Sequence, residues 1–229
     1  MAVAYVRASN TGFGTAATSL AKTGMTMTSG NTIFVYGSFQ HVSGQTISIV
    51  TTGGTGSDTA TQLYFNNALI GSNSTDFYCY VFAPIGAGRT GITLNFGVST
   101  AFGDWTSLEV SGLPAPITND QTFWTGASSA ANIQFGTTAT LASSNEVSLI
   151  YCAGNNAAGA FTAPFTDIGS TPSTSDHAGY IISTTNTAIV TGTQTKGTNT
   201  SWASFLLLYY TGTAAAATKA GTMSLMGVG

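Results

Sequence analysis

Charge is the scarcest property of this sequence. It has 5 basic and 8 acidic residues among 229, so charged residues make up only 6% of the chain, against roughly 25% in an ordinary soluble domain. With a net charge of −3, the chain lacks a basic surface, and we expect neither nucleic acid nor a membrane as a partner. The surface must consist of Ser, Thr, Asn, Gln and Gly, which suits a protein that neighbours cover or that works outside a cell.

Cysteine and histidine are almost as scarce, with two of each. Cys79 and Cys152 lie inside predicted strands and have no other ligand-type residue at metal-binding spacing, so we expect two buried free thiols. A disulfide between sheets stays open. His41 lies near a turn, and His177 directly follows Asp176, so on a strand these two side chains point to opposite faces. The chain therefore predicts no metal, no cofactor and no catalytic dyad.

Long apolar runs and helical periodicity are missing as well. The run from Phe205 to Tyr210 has six residues, far too few to cross a bilayer, and the N-terminus lacks the pattern of a secretory signal. No stretch of ten or more residues before Thr213 has an amphipathic helical period. We therefore expect a soluble protein that is assembled inside a cell and released by lysis.

The clearest pattern in the chain is a period of two between Gly91 and Leu113. Apolar residues alternate with polar or small ones from Ile92 to Val98, which predicts a half-buried strand. Gly103-Asp104 interrupts the pattern, and Trp105 to Val110 is predicted as the returning strand of a pair.

Other strands follow the same logic. Residues 32–39 with 46–50, and residues 179–183 with 187–190, are predicted as hairpins, and Asn66-Asn67 as a tight turn. About twelve short strands without helices predict one all-β domain over residues 1–212, an antiparallel β-sandwich of jelly-roll-like type. No repeat of fixed period is visible, which argues against a β-helix or a propeller.

The last residues form a segment of different composition. Residues 213–229 contain four successive alanines and few polar groups, with Met223, Leu225 and Met226 near the end. We interpret this segment as a short C-terminal arm. Two alternatives stay open: the arm packs back on its own sandwich, or it docks on a neighbouring subunit as an assembly arm.

Candidate chemistry is sparse. A glycoside hydrolase needs two carboxylates facing one cleft, and the acidic residues are scattered, so a hydrolase is the least favoured hypothesis. Asp104 and Glu109 are five residues apart, which places them on opposite faces of a strand. If Glu109 faces inward, it needs Arg89, Lys22 or backbone donors as partners and acts as a structural clamp.

Aromatic residues are the remaining candidates for binding. Trp105 and Trp202 lie inside predicted strands and are expected in the core. Trp124, beside Thr125-Gly126, is the tryptophan expected to be exposed, and it is the candidate for a glycan contact.

Two segments carry a resemblance to a known group of proteins. Trp105 to Leu113 (Trp-Thr-Ser-Leu-Glu-Val-Ser-Gly-Leu), followed by Ser144 to Leu149 (Ser-Asn-Glu-Val-Ser-Leu), resembles a pattern in Gly/Ser/Thr-rich β-sandwich virion proteins of tailed bacteriophages. The Ala4-Tyr5-Val6 start and the strand with Trp202 are similar too. Glu109-Val110-Ser111 departs from the more common aromatic residue before Ser-Gly.

The resemblance implies a virion structural protein with a jelly-roll-like fold and no enzymatic activity. Together with the scarcity of charge, it predicts a capsid decoration, head-fibre or tail component that forms a homo-oligomer and contacts other virion proteins. Such a protein is assembled in the host cytoplasm and resides in the virion. The alternative is a glycan-binding module that attaches to a host surface.

Overall fold

Fifteen strands make up the part of the chain that the structure describes, and all of their pairings are antiparallel. The structure is a computed structural model, and it describes residues 2–70, 73–127, 132–154, 159–170, 176–191, 193–195 and 201–212, which contain no helix. In chain order the strands are β1 (Ala4–Phe13), β2 (Ala17–Thr23), β3 (Thr32–Gln40), β4 (Ile47–Thr52), β5 (Thr61–Ile70), β6 (Asn73–Phe82), β7 (Gly91–Thr100), β8 (Gly103–Ser111), β9 (Ile117–Ala127), β10 (Asn132–Gln134), β11 (Glu146–Gly154), β12 (Thr166–Ser170), β13 (His177–Ser183), β14 (Thr193–Thr195) and β15 (Trp202–Thr211).

Two five-stranded sheets pack face to face at the centre of the molecule. Their strand orders are β1-β8-β3-β6-β5 and β12-β13-β11-β15-β9. The three-stranded sheet β2-β7-β4 covers the outer face of the first sheet, and the pair β10-β14 lies on the outer side of the second. The predicted all-β antiparallel sandwich is therefore confirmed, with two outer layers added to it.

Each central strand contributes to two hydrophobic cores, because side chains alternate across a strand. In β3, Phe34 and Tyr36 lie in the core between the two five-stranded sheets. Ile33 and Val35 point the other way, toward the three-stranded sheet. Burial on both faces explains why the central strands are almost continuously apolar.

The second half of the chain repeats the strand connectivity of the first. Strands β9, β11, β12, β13 and β15 occupy the places in the second sheet that β1, β3, β5, β6 and β8 occupy in the first. The pairing of β10 with β14 likewise repeats that of β2 with β7. Among the described strands, β4 alone has no counterpart. The two five-stranded sheets are therefore the facing layers of two topologically equivalent halves.

The predicted hairpins are wrong, although most of their strands exist. β7 and β8 belong to different sheets, as do β3 and β4. Residues 187–190 form no strand apart from a single bridge of Val190 to Thr137. Asn66-Asn67 is no turn but lies within β5. A period of two identifies a strand and its buried face, but it does not identify the neighbouring strand.

Candidate functional site

A groove of about 540 Å³ lies along one side of the molecule, where the two central sheets meet. One wall is β1, the outer strand of the first sheet, and the other is β12, the outer strand of the second. The amide of Asn10 on β1 donates a hydrogen bond to the carbonyl of Ser170 on β12 at 2.9 Å. The groove is therefore built across the seam between the two halves of the chain; we call it the seam groove.

Two tyrosines stack in the seam groove. The rings of Tyr5 (β1) and Tyr180 (β13) are nearly parallel, with an interplanar angle of 5° and centroids 5.3 Å apart. Tyr180 packs against the central core, whereas Tyr5 is 49% exposed. Tyr180 thus supports one face of the Tyr5 ring and leaves the outer part of that ring accessible.

The backbone is irregular on both walls of the seam groove. The pairing register of β1 shifts between Tyr5 and Arg7, and that of β12 shifts between Asp167 and Gly169. Such irregularities bend a strand and change the direction of its side chains. Gly169 has a φ of 105°, a conformation that other residues rarely adopt. Both walls are therefore shaped locally rather than formed by regular strands.

One cation and one carboxylate face each other across the seam groove. The ammonium of Lys22 (β2) donates to the carbonyl of Asn10 at 2.7 Å. Oδ1 of Asp167 (β12) accepts from the backbone N–H of Phe161 at 2.9 Å and lies 3.1 Å from Nδ1 of His177. Oδ2 of Asp167 has no hydrogen-bond partner among the described residues. The groove thus offers positioned donors and an acceptor beside an aromatic face.

A second polar cluster lies inside the central core. The hydroxyl of Tyr151 is 2.5 Å from Oδ1 of Asp104 and 2.9 Å from Oδ2 of Asp176. The hydroxyl of Ser38 donates to Asp176 at 3.2 Å, and the N–H of Gly154 donates to the same carboxyl at 3.1 Å. Asp104 belongs to the first sheet and Tyr151 to the second. This buried carboxyl pair therefore ties the two sheets together.

Burial, and then the charge of Asp104, raise the pKa of Asp176 well above its usual value. Two carboxylates that share one hydroxyl in an apolar interior disfavour each other's charged form, which acts in the same direction as burial. Asp104 is 0% and Asp176 3% exposed. Since both are enclosed, the pair holds the halves together rather than contacting a substrate.

Glu109 is buried and faces the outer core of the first half. Its Oε1 accepts from the amide of Asn31 at 2.7 Å and from the backbone N–H of Thr28 at 3.0 Å. Its Oε2 lies 2.9 Å from Nε of Arg7 in an ion pair, although this contact lacks hydrogen-bond geometry. Of the two orientations left open for Glu109, the inward one, in which it acts as a structural clamp, is therefore observed, and Asp104 lies on the opposite face as expected.

The charged partners expected for Glu109 are wrong. The guanidinium of Arg89 makes bonds of 2.9 and 3.1 Å to the carboxylate of Asp58, and Lys22 points to Asn10 in the seam groove. Arg89 holds the pKa of Asp58 down, at about 2. The sequence predicts a backbone donor for Glu109, and the N–H of Thr28 fills this role. It does not predict Arg7, because this residue lies on a strand that is distant in sequence.

Glu146, at the start of β11, is fully buried. Neither of its oxygens makes a hydrogen bond of standard geometry with the described residues. Burial, and then the neighbouring carboxylate of Asp120, raise the pKa of Glu146 to about 8. Asp120 itself accepts from the N–H of Ala142 at 3.1 Å and from Gln121 at 3.0 Å. Glu146 is therefore a buried acid that is protonated at neutral pH.

Trp124, the glycan contact predicted from the sequence, does not line the seam groove. Trp124 is the most exposed of the three tryptophans, as expected. Its ring nevertheless packs edge-on against Phe77, with centroids 4.9 Å apart, at the margin of the central core. The predicted arm residues Met223, Leu225 and Met226 lie outside the described residues.

The cysteines and histidines follow the sequence-based expectations. Cys79 and Cys152 are buried, and neither forms a disulfide. His177 pairs with Asp167 rather than with its neighbour Asp176. His41 pairs with Asp76, with Nδ1 2.9 Å from Oδ2.

The surface of the described part carries no fully exposed charged side chain. All charged residues except Lys196 and Lys219 belong to that part. Those that are buried are Asp76, Arg89, Asp104, Glu109, Glu146 and Asp176. Those that are half-buried are Arg7, Lys22, Asp58, Asp120 and Asp167. Charged residues normally lie on protein surfaces, whereas the charged side chains in the described part of this chain are buried or half-buried.

Two kinds of functional feature, a cluster of metal ligands and a membrane-spanning helix, are absent from the described residues. They contain no group of three or more His, Cys, Asp or Glu side chains arranged to hold a metal ion. No helix there is long and apolar enough to span a bilayer.

The residues of the seam groove were not predicted from the sequence. Tyr5 and Tyr180 come from opposite ends of the chain, and no local motif links them. Comparisons with protein-family models, with curated proteins and with solved structures found no match to this chain.

Proposed function

We propose that the protein is a non-enzymatic structural protein of a bacteriophage virion. It acts by assembling with copies of itself and with other virion proteins, as a capsid decoration, head-fibre or tail component. The observation that carries this proposal is that the described part of the chain carries no fully exposed charged side chain. The resemblance of the segments around Trp105 and Asn145 supports the assignment to a virion.

The physical link between such a surface and assembly is desolvation. A charged group loses much more free energy than a hydroxyl or an amide when a neighbour covers it. The centres of protein interfaces are accordingly depleted of charged residues. A surface of Ser, Thr, Asn and Gly can be covered over a large area at little cost, which favours extensive contacts in a shell or fibre.

Strand β5 is the best-placed surface for contacts between copies. It is an outer strand of the first sheet, has ten residues, and contains no charged residue and no proline. Leu69 and Phe65 on it are 71% and 42% exposed. Natural sheets usually protect long outer strands with charges or prolines, so an unprotected one is suited to pairing with another copy.

Sedimentation velocity of the full chain tests the assembly. We expect oligomers that persist from low to high salt, because screening weakens contacts between charges but not contacts between neutral surfaces. Leu69→Lys should shift the distribution toward monomer. Val190→Lys, at a similarly exposed apolar residue outside β5, is the matched control and should leave it unchanged.

Two results would contradict the proposal. One is a monomer at all concentrations and salt conditions. The other is absence of the protein from purified phage particles when these are analysed by mass spectrometry. Dissociation by salt alone would show that charge, rather than the neutral surface, drives the assembly.

The residues considered for the two alternative functions, glycan binding and glycoside hydrolysis, do not support them. Trp124 is half-buried and packs against Phe77 at the margin of the core, which does not favour it as the contact residue of a glycan-binding host-attachment module. Asp104 and Glu109, the carboxylates weighed for a glycoside hydrolase, are both buried and lie on opposite faces of β8, which does not support their use in one cleft.

A further inference from the structure

We propose that the seam groove is a binding site for a neutral oligosaccharide. This inference does not depend on assembly of the protein. It rests on the accessible ring of Tyr5, on the charged pair Lys22 and Asp167, and on the contrast with the opposite side of the molecule.

The tyrosine stack supplies an apolar face that is already in place. A sugar ring presents a face of C–H groups, which packs on an aromatic ring, while its hydroxyls remain at the edge. Tyr180 lies parallel beneath Tyr5 and restricts the rotation of its ring, so little side-chain entropy is lost on binding. Tyrosine also has few rotatable bonds, which makes it an inexpensive contact residue.

Lys22 and Asp167 supply the hydrogen bonds that sugar hydroxyls require. Lys22 uses one donor on Asn10, and an ammonium has three. Asp167 is oriented through Oδ1 by Phe161 and His177, and its Oδ2 can accept from a ligand. The two charges offset each other, so the seam groove favours a neutral ligand over an anionic or cationic one.

Lys22 differs in its surroundings from the other half-buried charges. Each of the others lies beside a buried group of the protein: Arg7 beside Glu109, Asp58 beside Arg89, Asp120 beside Glu146, and Asp167 beside His177. Lys22 and Asp167 are the two that converge on an open groove. In a chain with so few charges, this placement is best explained by a ligand.

The opposite side of the molecule provides an internal comparison. There the outer strands of the two central sheets are β5 and β9, and Tyr64 and Trp124 on them pack against the central core. Tyr64 contacts Phe205 at 5.4 Å between ring centroids. The aromatic side chains on that side thus pack inward, whereas Tyr5 on the side of the seam groove is 49% exposed. The volume of the seam groove lies within the roughly 300–1,000 Å³ of small-ligand sites.

The test measures binding of the full chain to an array of neutral and acidic oligosaccharides, followed by titration of the best neutral ligand. Tyr5→Ala should weaken binding about tenfold, the effect of losing one aromatic contact. Tyr5→Phe keeps the ring and should bind nearly as the wild type does. Phe65→Ala, at an exposed aromatic residue outside the groove, is the matched control and should bind normally.

Several outcomes would overturn the inference. These are the absence of binding to any neutral oligosaccharide, binding confined to acidic sugars, and equal affinity of Tyr5→Ala and the wild type. Melting curves of each variant establish that it is folded. Leu69→Lys separates the two proposals, because it should reduce assembly and leave unchanged the affinity of a single site, measured by titration with a soluble monovalent sugar.

Discussion

Replacing Glu146 by glutamine should stabilise the protein at neutral pH. The side chain is fully buried, and its pKa is raised to about 8 by burial and by Asp120. Folding at pH 7 therefore requires this carboxyl to take up a proton. Glutamine has nearly the same shape, is already neutral, and retains an N–H donor for Asp120. The substitution removes the proton uptake and leaves the packing unchanged.

The magnitude follows from the difference in pKa between the folded and unfolded chains. With about 8 in the folded protein and 4.5 in the unfolded chain, the folded state binds more protons between these values. Stability is then greatest below pH 4.5 and falls by about 1.4 kcal/mol for each pH unit above it. By pH 7 the loss is on the order of 3 kcal/mol, which Glu146→Gln should recover.

Urea unfolding at several pH values between 4 and 9 provides the measurement. The wild type should lose stability as the pH rises, whereas Glu146→Gln should show a smaller loss. At pH 7 the variant should melt about 6–12 °C higher, given the usual relation for chains of this size. Equal stability at pH 4 and a widening difference toward pH 8 would be the signature of this mechanism.

Glu109→Gln is the matched control at a second buried glutamate. Glu109 has Arg7, Asn31 and the N–H of Thr28 as partners, so its replacement should destabilise the protein by about 1–3 kcal/mol at pH 7. The two substitutions thus have opposite expected signs. The reasoning would be refuted if Glu146→Gln destabilised the protein at pH 7, or if its stability kept the full pH dependence of the wild type.

Three further substitutions or reactions probe the core. Asp176→Asn should reduce the loss of stability that rising pH causes, because burial and Asp104 raise the pKa of Asp176 in the folded protein; a stability difference between variant and wild type that does not grow in favour of the variant from pH 5 to pH 9 would contradict this. Gly37→Ala should cost about 1–3 kcal/mol in thermal unfolding, because a Cβ there would lie 2.9 Å from Oδ1 of Asp104 and press on its carbonyl; an unchanged melting temperature would refute the clash. Cys79 and Cys152 should react with a thiol reagent only after unfolding, since both are buried and burial raises the pKa of Cys79; fast labelling of the native protein would contradict this.

The strands could be predicted from the sequence, but their partners could not. Ile92 to Val98 alternates clearly and does form a strand, β7. Only Ala101 and Phe102 separate β7 from β8, a spacing typical of a hairpin, yet this link passes from the three-stranded sheet to a five-stranded one. The length of a loop limits how far the chain can travel but does not determine which layer it enters.

The polar sites were less predictable than the strands, because each joins distant parts of the chain. The opposite orientation of Asp104 and Glu109 followed from the period of two, and so did the separation of His177 from Asp176, but the period left open whether Glu109 faces inward. The contacts of Asp104 with Tyr151, and of Tyr5 with Tyr180, depend on how the two halves pack. No spacing along the sequence encodes that packing.

The duplicated connectivity also shows how assembly and sugar binding can occur in one molecule. A seam that served packing alone would be filled on both sides, because an open seam loses burial and dispersion contacts. Here Tyr64 and Trp124 on one side pack against the central core, and the unprotected strand β5 lies on that side. The open seam, with Tyr5 and Asp167, lies on the opposite side. Pairing of copies through β5 therefore leaves the seam groove accessible, so an assembled particle can present many copies of a weak sugar site and gain avidity from their number.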